Sequence, residues 1–348
     1  MKTILALTDY KGNFGSKHYA VPYRSGMEKE KLRQYFKEYG FNLTFATFSE
    51  IDLTTQNYRG VYVIYTSSED PFYYYKDYIE DQIFALQLAG ANVIPLYEFL
   101  RANNNKVFME LLREIILPSE FCKLKTFRFG TTEEMLTCID QINFPVVVKG
   151  SGGASGTQVS LAENKRNLLQ EVKKISKTFH IKNYLWEIGR SFRHKGYKKD
   201  SMYRKKYILQ EFIPNLKKDW KILVFGQRYF ILTRYVREDD FRASGSQNNY
   251  KAGIQSELTY QILDFAKQVY DNLEIPHISL DIAFDGKKYY LLEMQGVYFG
   301  TSTIYMSDAY FVKGDNGWSS KEVDLDLEKL YADCIYSHII KKKSVLTA

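Results

Sequence analysis

Cysteine is almost absent: three residues in 348, Cys122, Cys138 and Cys334. Their spacing fits neither a disulfide framework nor a zinc pattern, which suits a reducing compartment. Proline is also scarce, seven in all, which leaves little room for Pro-rich linkers. No apolar run approaches the roughly 18 residues of a membrane span, and Ile4–Leu7 is too short for the core of a signal peptide. A cytoplasmic protein with no membrane span is expected. Cys122, Cys138 and the five histidines show no ligand spacing or nucleophile context, so covalent catalysis by a Ser/His/Asp or Cys/His set is not indicated.

What is present is core-forming material. Hydrophobic residues make up 45% and aromatics 16%, with 29 Tyr and 23 Phe, enough for two or three folded units. The net charge of +7 hints at nucleic acid until it is located. Between Arg190 and Lys206 eight basic residues face Asp200 alone, so this stretch carries the whole excess. The basic signal is local, and nucleic acid is not an expected partner.

Strand and helix signals alternate through the first hundred residues: strands at Thr3–Thr8, Asn42–Thr47, Val61–Tyr65 and Val93–Leu96, helices at Met27–Tyr39 and Tyr75–Leu88. That order implies a parallel sheet in a small α/β domain, residues 1–103. A polar break, Asn103-Asn104-Asn105, precedes a helix at Val107–Ile116. Beyond it the pattern gives strands at Thr126–Phe129, Pro145–Lys149, Thr157–Leu161 and Tyr207–Ile213, with helices at Thr131–Ile142 and Asn164–Lys177. The last third reads as strands Trp220–Phe225 and Tyr229–Val236, a helix Glu257–Asn272, a hairpin His277–Phe284/Lys287–Met294 and a closing helix Leu325–Ile340. That helix and the run Phe72–Tyr75 suit either a subunit contact or the core; no oligomeric state is readable.

Two constellations carry chemistry. Gly150-Ser151-Gly152-Gly153-Ala154-Ser155-Gly156 joins two strands, and its N–H groups suit phosphate oxygens beside Lys149. A plain tight hairpin is the competing reading, and the loop is not a Walker A motif. On the hairpin, Glu293 and Gln295 share a face by the two-residue period, and antiparallel pairing brings Asp281 beside them. Three such oxygen ligands suit Mg²⁺ bridging phosphates; a solvated polar face is the alternative.

In order along residues 100–305, Asn105-Lys106, Phe144–Lys149 with the Gly loop, Gln210-Glu211-Phe212-Ile213, Asp219-Trp220-Lys221, Arg234, Phe241–Ser244, Asp281 and Leu291–Gln295 resemble the ATP-grasp superfamily. The resemblance implies an ATP-grasp fold, two α+β subdomains at 104–213 and 214–348, behind the α/β domain. It implies that Lys106 and Lys149 hold the ATP phosphates and that Gly152, Gly153 and Ser155 close over them. Adenine would sit on Gln210–Ile213 through backbone groups of Glu211 and Ile213, with Asp219 or Lys217 near the ribose. Arg234 and Arg242, with Lys221, would stabilise the transferred phosphoryl group. Asp281, Glu293 and Gln295 would bind one or two Mg²⁺, or Mn²⁺; the family's last ligand is usually Asn, so Gln295 is a departure.

The implied activity is that of an ADP-forming carboxylate–amine ligase working through an acyl phosphate. A phosphotransferase and a nucleotide-binding protein without turnover are the alternatives. Phe241–Ser246 with Leu292–Gly296 and Phe299-Gly300-Thr301 looks like ATP-grasp proteins of bacterial capsule and surface-glycan assembly. The partners implied are ATP with small or glycan-linked carboxylate and amine substrates. Arg190–Lys206, a basic loop, would either contact an anionic acceptor or be simply solvated.

Overall fold

The computed structural model describes residues 2–153, 158–236, 240–243, 250–324 and 326–347, with side chains as far as residue 342. Its first strands, β1 (Lys2–Thr8), β2 (Phe41–Thr47), β3 (Tyr62–Tyr65) and β4 (Asn92–Ile94), pair in parallel in the order β2-β1-β3-β4. Helices α1 (Lys29–Glu38) and α2 (Tyr74–Leu88) each turn one apolar stripe inward: Leu32 and Phe36 on α1, Ile79, Ile83 and Leu86 on α2. The connection after β1 runs to β2 and the one after β3 runs the other way, to β4, so the loops following β1 and β3 flank a crevice. A short helix that the apolar pattern does not announce, α3 (Tyr97–Ala102), leads to α4 (Lys106–Ile116). The Asn105 side chain caps α4, accepting from the Phe108 N–H at 3.2 Å.

The second sheet is antiparallel: β5 (Thr126–Phe129), β6 (Val146–Gly150), β7 (Val159–Ala162) and β8 (Tyr207–Glu211), in the order β5-β8-β6-β7. Val146, Val148, Tyr207 and Leu209 on one face pack against α5 (Thr132–Thr137) and α6 (Lys165–Ser176). The helix expected over 131–142 stops at Thr137. Its Thr131/Glu134 capping box is present, but Cys138 leaves helical geometry so that the chain can enter β6 at Pro145. Arg190–Lys206, expected as a loop, begins inside a further helix, α7 (Ile181–Arg193).

The third sheet runs β13-β12-β9-β10-β14-β15, with β11 beside β10. Its strands are β9 (Lys218–Phe225), β10 (Arg228–Tyr235), β11 (Tyr250–Ala252), β12 (His277–Phe284), β13 (Tyr289–Gln295), β14 (Ala309–Gly314) and β15 (Gly317–Glu322). The β14–β15 hairpin was not expected, because β15 buries only Trp318 and shows no alternation. Helices α8 (Tyr260–Asp271), α9 (Ser302–Met306) and α10 (Leu327–Thr347) complete the chain; Leu325, expected to open the last of these, lies outside the described residues.

The two faces of this sheet have different neighbours. Trp220, Ile222, Val224, Leu280 and Ile282 face α8 and, from α4, Met109 and Leu112. Leu223, Phe225 and Phe230 face the other way, onto α10 and the first domain's Ile4 and Leu32. The apolar side of α10 is therefore core. Further along this second face the sheet is uncovered, and there its residues are charged.

Candidate active site

A cleft of about 440 Å³ lies between the second and third sheets. Strand alternation sorts what enters it. On β6 and β8 the buried Val146, Val148 and Leu209 turn away, so Val147, Lys149 and Gln210 line the cleft. On the third sheet the outward positions form a lateral row: Arg234 pairs with Asp219, Lys221 with Asp281, and Asp281 with Glu293. Register moves from Asp281–Glu293 to Ile282–Leu291, so Leu292 is an extra residue in a bulge, and both Leu292 and Glu293 reach the cleft. Arg113 of α4 steadies this point by donating to the Leu291 carbonyl at 2.8 Å.

The charges interlock. Arg234 donates to Asp219 through Nε at 2.7 Å and through a terminal nitrogen at 2.9 Å, and the same nitrogen lies 2.9 Å from Asp281 Oδ2. Burial works to raise the Asp281 pKa, but Arg234 and Lys221 hold its carboxyl below the ordinary range. Burial pushes Asp219 up despite its bidentate partner. Each oxygen of Asp219 accepts one hydrogen bond from Arg234, so Asp219 positions the guanidinium. Lys149 donates to Gln210 Oε1 at 2.5 Å, and burial lowers its pKa, only partly offset by Glu293.

Lys106 sits 3.4 Å from Glu293 and donates to the Gly153 carbonyl at 3.3 Å. The Gly153 N–H donates to the Tyr73 hydroxyl at 2.7 Å. Only glycine fits at 152, where a Cβ would lie 2.6 Å from the Tyr73 ring. Of the aromatic run, Tyr73 thus meets the loop, while Phe72 and Tyr74 are exposed. Arg242 is engaged by Asp240 and reaches the Val159 carbonyl at 3.4 Å.

Of the described residues of the expected set, Lys106, Lys149, Gly152, Gly153, Gln210, Glu211, Phe212, Ile213, Asp219, Lys221, Arg234, Arg242, Asp281, Glu293 and Gln295 line the cleft, and Lys217 does not. Ser155, and Ser244–Ser246 of the Phe241 motif, lie outside the described residues. No residue of Arg190–Lys206 lines the cleft, which removes the reason to place an acceptor there. Glu69, Phe299, Gly300 and Ser302 line it and were not singled out for this role from the sequence, except Phe299 and Gly300 within a motif. Glu69 had a signal: a polar loop, Ser67-Ser68-Glu69-Asp70, directly after a parallel strand.

The metal-ligand expectation fits this geometry. Asp281 Oδ1 is buried without a hydrogen-bond partner among the described residues, and Lys221 is 3.8 Å away. Glu293 is opposite Asp281 and Gln295 opposite Ser279, so the three oxygen-bearing side chains share one face. Among the described residues no three His, Cys, Asp or Glu side chains form a metal cluster, so the donor set needs the Gln295 carbonyl and phosphate oxygens, as suits a hard ion such as Mg²⁺.

Residues 102–306 match the RimK-like ATP-grasp domain. The whole fold is similar to solved structures at low identity. A RimK-domain ATP-grasp protein of Sphaerobacter thermophilus is 14% identical, with TM-score 0.53 over 96% of this chain and 99% of that one. D-alanine–D-alanine ligase of Bacillus anthracis is 12% identical, with TM-score 0.51 over 99% and 98%. N5-carboxyaminoimidazole synthetase of Staphylococcus aureus, solved with ADP, is 10% identical, with TM-score 0.55 over 96% and 77%. No curated protein matches the sequence.

Proposed function

The chain belongs to the RimK-like ATP-grasp family, and from that premise we propose that it is an ADP-forming ligase that activates a carboxylate with ATP and joins it to an amine. The observation that carries this reading is the opposition, across one cleft, of Lys106 and Lys149 to the Asp281/Glu293/Gln295 face.

In this reading adenine lies among Val147, Ile213, Leu216 and Leu292. The Ile213 N–H, which makes no backbone hydrogen bond among the described residues, is offered to it. Lys149 and Lys106 hold the phosphates, with backbone of Gly152 and Gly153 above them. Asp281, Glu293 and Gln295 hold Mg²⁺, whose chemistry when bound is to neutralise phosphate charge and make the terminal phosphorus more open to attack.

Two anions, a carboxylate and a triphosphate, must be brought together. Lys221 and Arg242 supply counter-charge on the acceptor side, while Asp219 and Asp281 fix the Arg234 guanidinium beside them. The carboxylate oxygen attacks the terminal phosphorus and ADP leaves; the amine then attacks the acyl carbon of the acyl phosphate and inorganic phosphate leaves. Glu69, an exposed carboxylate of the first domain that lines the cleft, would accept the proton that the attacking amine loses.

The substrates are proposed to be small or glycan-linked, and surface-polysaccharide or amino-acid-conjugate assembly is the pathway proposed from the Phe241 and Leu292 motifs. A cytoplasmic location is proposed with it; among the described residues no helix is long and apolar enough to cross a membrane. The test is ADP release across pools of carboxylates and amines, with mass spectrometry of the product. An amide product supports the ligase; a stable phosphorylated product with no amine consumed makes it a phosphotransferase instead.

A further inference from the structure

Helix α7 buries none of its residues. It belongs to an excursion from the second sheet, closed at its base by Thr178 N–H to the Met202 carbonyl at 2.8 Å and Lys205 N–H to the Ser176 carbonyl at 3.1 Å. Yet its sequence is amphipathic. Ile181, Tyr184, Leu185, Ile188 and Phe192 recur at helical spacing along one stripe, and Ile181 is 70% and Phe192 87% exposed. Trp186 is 58% exposed and lies off the stripe, on the face it shares with Lys182, whose Nζ is 5.5 Å from its ring centroid.

The flanks are basic. The chain's whole net charge of +7 resides in Arg190–Lys206, away from the cleft. At the start of the helix an open hollow of about 590 Å³ is lined by Lys174, Lys177, His180, Asn183, Arg204 and Lys205, with no acidic side chain among its lining residues. The positive charge around the stripe calls for a negatively charged surface with an apolar layer beneath it. Leu, Ile and Phe on one side with Lys, Arg and Trp on the other is the composition of a helix that lies in the headgroup region of a bilayer.

We infer that the 178–206 appendage is a membrane-surface anchor: α7 lies along an anionic bilayer, its stripe in the acyl boundary and its basic flanks on lipid phosphates. The inference does not depend on the ligase reading. A tryptophan in the stripe makes it measurable in the full chain. Added to vesicles of phosphatidylglycerol and phosphatidylcholine, the protein should float with them, and the emission of a Phe192→Trp/Trp186→Phe variant should shift to the blue. Phosphatidylcholine alone should bind it far less, and salt should weaken the binding.

Lys198→Glu with Lys199→Glu should lower the partition coefficient at least about tenfold, and Leu185→Glu with Phe192→Glu should abolish flotation. All four positions are remote from the cleft, so unchanged ATP binding certifies that the variants are folded. Trp186→Phe alone should keep flotation. Absence of flotation with anionic vesicles at low salt would overturn the proposal. So would flotation indifferent to both double variants, no blue shift in the Phe192→Trp/Trp186→Phe variant when vesicles are added, or a blue shift in that variant without lipid through self-association or an acidic protein.

Discussion

Arg234 and Asp281 lie 2.9 Å apart, and the second oxygen of Asp281 is buried without a hydrogen bond among the described residues, 3.8 Å from Lys221. One carboxylate thus pairs with a structural cation through one oxygen and keeps the other unbonded among the described residues. Replacing Arg234 by Met leaves Asp219 buried without its bidentate partner and Asp281 with Lys221 as its nearer cation. It should cost about 3–5 kcal/mol of stability, measured by urea unfolding, with Lys at 234 recovering part of the loss because it restores charge but not the bidentate fork. Equal stability of wild type and Arg234→Met would show that the triad does not hold the wall together.

Lys149 gives a pH dependence with a fixed sign. Burial lowers its folded pKa, so its ammonium form is lost at a lower pH than that of an exposed lysine. Phosphate binding favours the charged form and pulls the pKa back up. ATP affinity should therefore fall as pH rises through the window between the lowered pKa and the ordinary lysine value, with proton uptake on binding there. Calorimetry in buffers of different ionisation heat reads this directly. Lys149→Arg should flatten the profile, since a guanidinium stays charged throughout.

Tyr73 makes a third case. Its hydroxyl occupies the Gly153 N–H at 2.7 Å, a group the phosphates are expected to need, and ATP must displace it. Tyr73→Phe should tighten ATP binding about three- to tenfold, the worth of one net hydrogen bond. Faster hydrogen exchange of the loop before nucleotide is added should accompany it. Weaker ATP binding in this variant would mean that the hydroxyl assists the nucleotide.

The contact with Tyr73 was not legible in the sequence, whereas part of the Asp281/Glu293/Gln295 face was. The two-residue period puts Glu293 and Gln295 together and the turn fixes their partner strand, but it is the bulge at Leu292 that brings Glu293 opposite Asp281, and no local rule announces it. The Gly153–Tyr73 contact joins residues 80 apart through a turn in which Phe72 and Tyr73 both adopt positive φ, 67° and 63°, a geometry that no composition announces. Asp219 shows the same limit: its strand and face were readable, its bidentate bond to Arg234 on the neighbouring strand was not. For α7 the helical spacing was present, but the density of Lys and Arg hid it. Elements with one polar face and little burial, β15 above all, gave no periodic signal to read.

The metal face is tested most directly by ADP release with carboxylate and amine pools, comparing wild type with Glu293→Ala as Mg²⁺ is titrated. The account predicts Mg²⁺-dependent ADP release, matched by an amide product, in the wild type. In Glu293→Ala both should be lost while the protein remains folded. Retained Mg²⁺-dependent turnover in Glu293→Ala would contradict the metal assignment, and no ADP release by the wild type with any pool would contradict the ligase reading itself.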